Sequence, residues 1–402
     1  MSKIKAKALV VQGGGPTVVI NQSLVGIILE SRKYPEITKI YGAKHGVRGI
    51  INEDLVDLTD YSEDKLELVA KTPSSALGSV RDKPDEEYCK KMFNVMEKHD
   101  IHYFFFIGGN DGAAVCDIVN REAKKANYEL RVIHVPKTID NDLVGTDHCP
   151  GYGSAAKFIA SAFAGVNADN RALPGVYIGV TMGRHAGFLT ASSVLARKSE
   201  EDGPHLVYLP EKVFNIHQFA HDVKIVYEKY GRCVVAVSEG VADEDGIPIA
   251  VKLAKQVEHD AHGNVQLSGS GALGDLLADE IRSKTDISRV RADTLGYLQR
   301  SFLGCVSETD AKEAREVGVQ AIKFAVSGDV DGSVAINRVD DYTVEYKLID
   351  LIEVAGKTKE MPEEFFEGDN MVSEKFIKYA RPLVGELPVV EKLEVLEVKK
   401  II

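Results

Sequence analysis

The chain has 402 residues, 44% hydrophobic and 27% charged, an ordinary balance for a soluble globular protein with length for two lobes or one large α/β unit. Its 49 Lys and Arg stand against 61 Asp and Glu, and the net charge of -12 argues against a general affinity for nucleic acid while allowing a local basic pocket. Five scattered cysteines without Cys-x-x-Cys spacing point away from structural zinc and a disulfide framework, and towards a reducing cytoplasm. Met1–Leu9 has no long apolar stretch of the secretory kind, and no apolar run approaches about 18 residues, so neither a signal peptide nor a membrane span is expected.

In chain order, Ala6–Val11 reads as a buried parallel strand that runs into Gly13-Gly14-Gly15-Pro16-Thr17 and a helix from Asn21 to about Arg32. Residues 52–100 are more polar and helical, a cover for the front of the first sheet. The strand Tyr103–Ile107 leads into Gly108-Gly109-Asn110-Asp111-Gly112 and a helix from Ala113 to Ala126. Arg131–Val135 leads into Pro136-Lys137-Thr138-Ile139-Asp140-Asn141-Asp142, followed by a helix from Ser154 to Asn167. The alternation continues with the strand Gly175–Val180, a helix Ala186–Arg197, strands His205–Leu209 and Cys233–Ser238 around a helix Ile216–Tyr230, and a strand Ser288–Leu295. Strand and helix in alternation mean parallel sheets with ligands at the strands' carboxyl ends. Beyond Ser327 the pattern loosens: Ser333–Asn337 and Tyr342–Tyr346 alternate like strands joined by Asp340-Asp341, and the acidic stretch Lys359–Asp369 reads as a surface segment.

The glycine-rich and acidic segments fall at those carboxyl ends. Gly13-Gly14-Gly15 serves a tight turn as readily as a phosphate, since neither the P-loop nor the dinucleotide spacing is completed. Asp140 and Asp142, flanking Asn141 behind a buried strand and Lys137, supply a carboxylate base and oxygen ligands for a divalent cation. Met182-Gly183-Arg184-His185 is expected to open a helix whose N-terminus, with Arg184, forms an anion site; His185 and the other histidines have no metal-like spacing and read as structural. Glu239-Gly240 closes a strand and suits sugar hydroxyls or a turn, while Tyr297 and Arg300, with Arg289 and Arg291 nearby, suit a phosphomonoester.

Taken together, the motifs resemble a phosphofructokinase, and within that family its pyrophosphate-dependent branch, over roughly residues 4–330. The resemblance implies two Rossmann-like lobes with mostly parallel sheets, helices on both faces and an active site in the cleft between them. It places a donor and catalytic lobe at residues 1–170, a sugar-phosphate lobe at 171–330 and an extension packing on the lobes at 331–402. It implies Asp140 as the base for the 1-hydroxyl of fructose 6-phosphate, Thr138 and Asp142 beside the transferring phosphoryl group and its Mg²⁺, with Ile139 among them, and Arg184 stabilising charge on that group. Met182 and Gly183 would line the sugar site, Glu239 hold hydroxyls, and Tyr297 and Arg300 grip the 6-phosphate; Gly14 and Arg81 would attend the donor. Arg291 matches an arginine that reaches a neighbouring subunit's site, which implies a homodimer or homotetramer.

In the ATP-using branch two positions are typically glycine; here they are Asp111 and Lys137. A carboxylate at Asp111 would meet the α-phosphate of ATP, and Lys137 supplies a compact cation for pyrophosphate. The sequence departs from the family at Asn110, where a metal-binding aspartate is common but whose amide oxygen can still face Mg²⁺ directly or through water, and at Gly112, where serine is common. The alternatives are an ATP-dependent enzyme, a pyrophosphate kinase acting on sedoheptulose 7-phosphate, and a regulatory subunit that senses sugar phosphate; the intact Asp140, Asp142 and Arg184 speak against the last.

Overall fold

Eleven strands are described: β1 (Ala6–Gln12), β2 (Ile37–Ala43), β3 (Leu55–Asp57), β4 (Ile101–Gly108), β5 (Arg131–Pro136), β6 (Val176–Thr181), β7 (Leu206–Tyr208), β8 (Cys233–Ser238), β9 (Val290–Thr294), β10 (Gly332–Asp340) and β11 (Thr343–Ile349). The computed structural model describes residues 5–80, 82, 84–253, 271–328, 331–393, 398–399 and 401. The strands form two sheets, one ordered β11-β10-β5-β4-β1-β2-β3 and one ordered β7-β8-β6-β9. The second is wholly parallel, and in the first only β3 and β11 at the edges run antiparallel to their neighbours. The architecture is α/β with mostly parallel sheets.

The near-continuous apolar strands of the sequence are explained by burial on both faces. In β4, Tyr103, Phe105 and Ile107 enter the apolar cluster under the helices Ile20–Ser31 and Glu308–Ser327, while Phe104 and Phe106 enter the one under Glu86–Lys98 and Asn110–Lys125. The helix Glu308–Ser327 therefore covers the first sheet, although it follows β9 of the second. It lies close enough to Ile20–Ser31 that a Cβ on Gly318 would stand 2.2 Å from the Ser23 carbonyl oxygen. The helix Tyr152–Ala172 leads away from the acidic segment after β5 to the second sheet, with the Phe163 ring against Gly179 of β6.

In the first sheet β1 lies between β2 and β4, so the chain winds one way from β1 to β2 and the other way from β4 to β5. The crevice outside the carboxyl ends of β1 and β4 is the topological switch point where such sheets bind ligands. The glycines 13–15 and 108–109 open onto it.

Several expectations are corrected. The stretch Ala186–Arg197 is not one helix but a short turn Phe188–Ala191 followed by a 3₁₀ segment Ser192–Ala196. The acidic stretch beginning at Lys359 is not merely surface: Met361 and Phe365 are buried in the cluster of the second lobe, because apolar residues spaced four apart turn inwards while the glutamates between them face water. No helix among the described residues is long and apolar enough to cross a membrane.

Candidate active site

The two glycine turns and the acidic segment meet in one cleft of about 410 Å³ between the sheets. On the first-sheet side, Gly13 donates its N–H to the Ile107 carbonyl (3.0 Å), and a Cβ there would stand 2.6 Å from the Phe106 ring. Gly14 has φ +72°, a left-handed backbone that glycine adopts without strain, and its would-be Cβ lies 3.3 Å from Lys137 Nζ. On Gly15 the same atom would stand 2.6 Å from Arg300 Nη1. The first loop is thus in touch with cations from both lobes.

The helix Asn110–Lys125 starts directly after Gly109, so the positive end of its macrodipole faces the cleft. Beneath the turn, buried His134 donates Nε2–H to the carbonyls of Gly108 (2.9 Å) and Gly109 (3.1 Å) and accepts from Ser333 Oγ at Nδ1 (2.7 Å). Burial holds this imidazole neutral, with a pKa lowered to about 4. It keeps both glycine carbonyls turned away from the anion site. Asn110 accepts the Asp111 N–H on Oδ1 (2.9 Å), which trims the helix start, and Asp111 projects at the cleft mouth.

β5 ends at Pro136, and Lys137 is only 4% exposed, its N–H bonded to the Gly108 carbonyl (2.9 Å). Burial lowers its pKa to about 8 in spite of the neighbouring Asp140 carboxylate. Thr138 Oγ1 accepts the Asp140 N–H (3.1 Å), a tight turn that presents Asp140 to the cleft. Asn141 has φ +61° and points back into the protein while Asp140 and Asp142 both line the cleft. Burial raises Asp140 above the usual carboxylate range, against the pull of Lys137, Arg184 and Arg300. Burial and then the Asp140 charge raise Asp142 to about 6, and the same two causes raise Glu239 to about 7.

The second sheet supplies the opposite wall. Glu239 follows β8 and bonds through its N–H to the Thr181 carbonyl (2.9 Å), and Ser238 Oγ donates to the Gly183 carbonyl (2.5 Å). Met182, Arg184, His185, Glu239 and Arg300 all line the cleft with Lys137, Thr138, Ile139, Asp140 and Asp142. The segment Met182–His185 does not open a helix: Gly183 at φ +135° breaks the backbone path, and the next helical turn begins only at Phe188. Arg184 therefore brings its own charge to the cleft and no helix dipole beside it.

Gly183, Arg291 and Tyr297 are not among the cleft-lining residues. Tyr297 is half-exposed beneath the Arg300 guanidinium, 4.3 Å from ring centroid to Cζ, and Arg291 on β9 is exposed with Nη1 on the Val290 carbonyl (3.0 Å). Arg81 lies outside the described residues.

Residues in or beside the cleft also escape a reading by motif. His185, read as structural, stands at the mouth, held below its ordinary pKa by burial and by Arg184. Buried Gln299 accepts the Met182 N–H on Oε1 (3.0 Å) and donates to the Gly296 carbonyl (3.0 Å), tying the segment after β9 to the one after β6. Thr358 arrives from the C-terminal extension, where nothing in the local sequence marks it. The Met-Gly-Arg-His run itself is the signal that points to His185.

Comparison with known proteins identifies the family and the fold. Residues 7–325 match the family model for phosphofructokinase. The chain belongs to the phosphofructokinase family. It is 59% identical over 382 residues, 95% of each chain, to the pyrophosphate–fructose 6-phosphate 1-phosphotransferase of Rhodospirillum rubrum. A sulfofructose kinase of Alkalicoccus urumqiensis is 31% identical, covering 84% of each chain. The crystal structure of a pyrophosphate-dependent phosphofructokinase from Marinobacter aquaeolei superposes with a TM-score of 0.84 at 32% identity over 98% of both chains. The two-sheet architecture is the phosphofructokinase fold.

Proposed function

We propose that the protein is a phosphotransferase that moves a phosphoryl group reversibly between pyrophosphate and the 1-hydroxyl of D-fructose 6-phosphate, giving fructose 1,6-bisphosphate and phosphate, a step of glycolysis. The observation that carries this reading is the buried Lys137 ammonium beside Gly14, in the same cleft as Asp140 and across from Asp111. Burying a cation with no donor present is unfavourable, and an anion as dense as pyrophosphate removes that penalty. The names of relatives that align over nearly the whole chain support the same donor and acceptor.

In this reading Asp140 accepts the proton of the sugar's 1-hydroxyl as the oxygen attacks the distal phosphorus, and pyrophosphate's bridging bond breaks to release phosphate. Lys137 and Arg184 face the charge that develops on the transferring oxygens, an effect strengthened by the low polarity around them. Gly14 and the start of the helix at Asn110 receive the donor, with Arg81 assigned to the same task. Arg300 grips the 6-phosphate with Tyr297 beneath it, Glu239 accepts from sugar hydroxyls, and Met182 and Gly183 shape the sugar site. Arg291, exposed on β9, serves a neighbouring subunit in a homodimer or homotetramer. The first sheet then carries the donor and the second the sugar phosphate.

The carboxylates fit a magnesium ion. Mg²⁺ takes one or two carboxylates and completes its shell with water and phosphate, so a protein cage is not required. Among the described residues no cluster of three His, Cys, Asp or Glu forms one. Asp142 would hold the ion together with the donor's oxygens, and the amide oxygen of Asn110 would face it directly or through water. When bound, the ion would neutralise phosphate charge and offset the burial that raises Asp140 and, together with the Asp140 charge, Asp142. The five cysteines are all unpaired, which suits a cytoplasmic enzyme.

A coupled assay with Mg²⁺ tests the reading, comparing pyrophosphate with ATP as donor and fructose 6-phosphate with sedoheptulose 7-phosphate as acceptor. Turnover is expected with pyrophosphate and fructose 6-phosphate, with ATP slower by about a hundredfold or more, since like charges a few ångströms apart repel by several kcal/mol at an effective dielectric of ~20. Asp111→Gly should raise the ATP rate. Activity with ATP alone would overturn the donor assignment.

A further inference from the structure

The catalytic segment is held in place by residues that lie beyond the family match at residue 325. Asn141 sits between the two aspartates with a left-handed backbone, and its side chain is completely buried. Its amide has two partners. Oδ1 accepts the Cys149 N–H (2.9 Å), and Nδ2 donates to the phenol oxygen of Tyr379 (2.7 Å). That phenol in turn donates its proton to the Asp147 carbonyl (2.9 Å), so one hydroxyl bridges the near and far arms of the loop. Lys359 adds a second clasp: its N–H donates to the Asp142 carbonyl (2.7 Å), and its ammonium to the carbonyls of Thr146 (3.1 Å) and Asp147 (2.9 Å).

We propose that Tyr379 is a positioning residue for phosphoryl transfer, its hydroxyl holding Asn141 in the left-handed conformation that turns Asp140 and Asp142 into the cleft. An asparagine at positive φ is tolerated but not preferred, so it persists where surrounding bonds over-determine it. The Tyr379 ring has its own supports. It lies among Phe188, Phe365 and Phe376, and the Arg338 guanidinium stacks on it at 4.8 Å. Removing the hydroxyl alone therefore leaves the ring anchored while Asn141 loses a partner. This inference rests on Asp140 being the base.

The test is steady-state kinetics of Tyr379→Phe, Asn141→Gly and the double variant, with circular dichroism to confirm folding. Glycine admits the same φ but lacks the amide. Misplacing a reacting group by an ångström costs up to about a hundredfold in rate, so kcat is expected to fall about ten- to a hundredfold in each single variant, with KM for pyrophosphate and fructose 6-phosphate within about twofold. The double variant should fall no further than Asn141→Gly, because the hydroxyl acts through that amide. An unchanged kcat in Tyr379→Phe, a folded Asn141→Gly with full activity, or losses that multiply in the double variant would each overturn the proposal. Asp140→Ser, run alongside, separates the two levels. If it keeps turnover, the assignment of the base fails; if it is dead while Tyr379→Phe is normal, only the positioning role fails.

Discussion

Two loops stand side by side at the carboxyl ends of β4 and β5, and they differ in how far along the chain their supports lie. The turn Gly108–Asp111 takes its shape from two glycines, a helix that starts at once and an asparagine bonded to the next residue's N–H, with buried His134 and the Lys137 N–H bracing its carbonyls from beneath. The segment Lys137–Cys149 is held by distant residues. Tyr379 and Lys359 clasp its arms, Asp147 N–H bonds to the Ile336 carbonyl (2.8 Å), and His148 Nε2 bonds to Glu313 (2.6 Å). A helix N-terminus binds an anion by virtue of its backbone alone, whereas a base must be aimed, and aiming needs supports from several elements. The contrast also explains why crowded carboxylates persist in the second loop. Raised pKa values for Asp140 and Asp142 mean that the folded protein holds these charges at a cost, which packing elsewhere must offset.

The largest effect should come from removing the chemistry in the second loop while leaving its supports intact. Asp140→Ser is expected to lower kcat by about 10²–10⁴-fold or more, the span of general acid–base catalysis, with fructose 6-phosphate binding largely retained by calorimetry. Normal turnover would refute the mechanism.

A methyl group on the first loop gives the converse experiment. At Gly109 an added Cβ meets only the Lys137 carbonyl oxygen at 3.7 Å, and φ is −87°, so alanine fits the fold. Gly109→Ala should keep its melting temperature and raise the KM for pyrophosphate about tenfold, because the methyl enters the path of the donor to the backbone. If stability falls and KM does not, the glycine serves packing instead.

The smallest effect is one on stability and carries a pH dependence of fixed sign. The Asp142 carboxyl titrates near 6 in the folded chain, above the ~3.9 of an unfolded one. Between those values the folded state binds more protons, so stability falls as pH rises through the window and the loss is complete above about pH 6. A shift of about two units corresponds to roughly 3 kcal/mol at most. Asp142→Asn in the metal-free protein should therefore melt higher than the parent at pH 7.5, with the difference vanishing near pH 4. Equal melting temperatures at pH 7.5 would show that Lys359 and His185 compensate the charge fully.

How much of this was legible before folding follows from how far each constraint reaches along the chain. The glycine turns, the apolar strands before them and the motif containing Asp140 and Asp142 could be located from local pattern, because turn geometry and strand burial are set within a few residues. The pattern misjudged Met182–His185, where Gly183 breaks a helix that residue types alone permit, and Lys359–Asp369, where Met361 and Phe365 turn inwards. It was silent on Gln299, Thr358 and Tyr379, whose partners lie 117 residues away for Gln299 and 238 for Tyr379. The sequence by itself determined the α/β alternation, the charge and residue types of the site, and the family. The tertiary structure alone decided that the helix Glu308–Ser327 covers the first sheet, that β10 extends that sheet beside β5, and that the C-terminal extension clasps the catalytic loop. A hydrogen bond acts over about three ångströms of space whatever its span in sequence, so the residues that aim a catalytic group emerge only when the chain has folded.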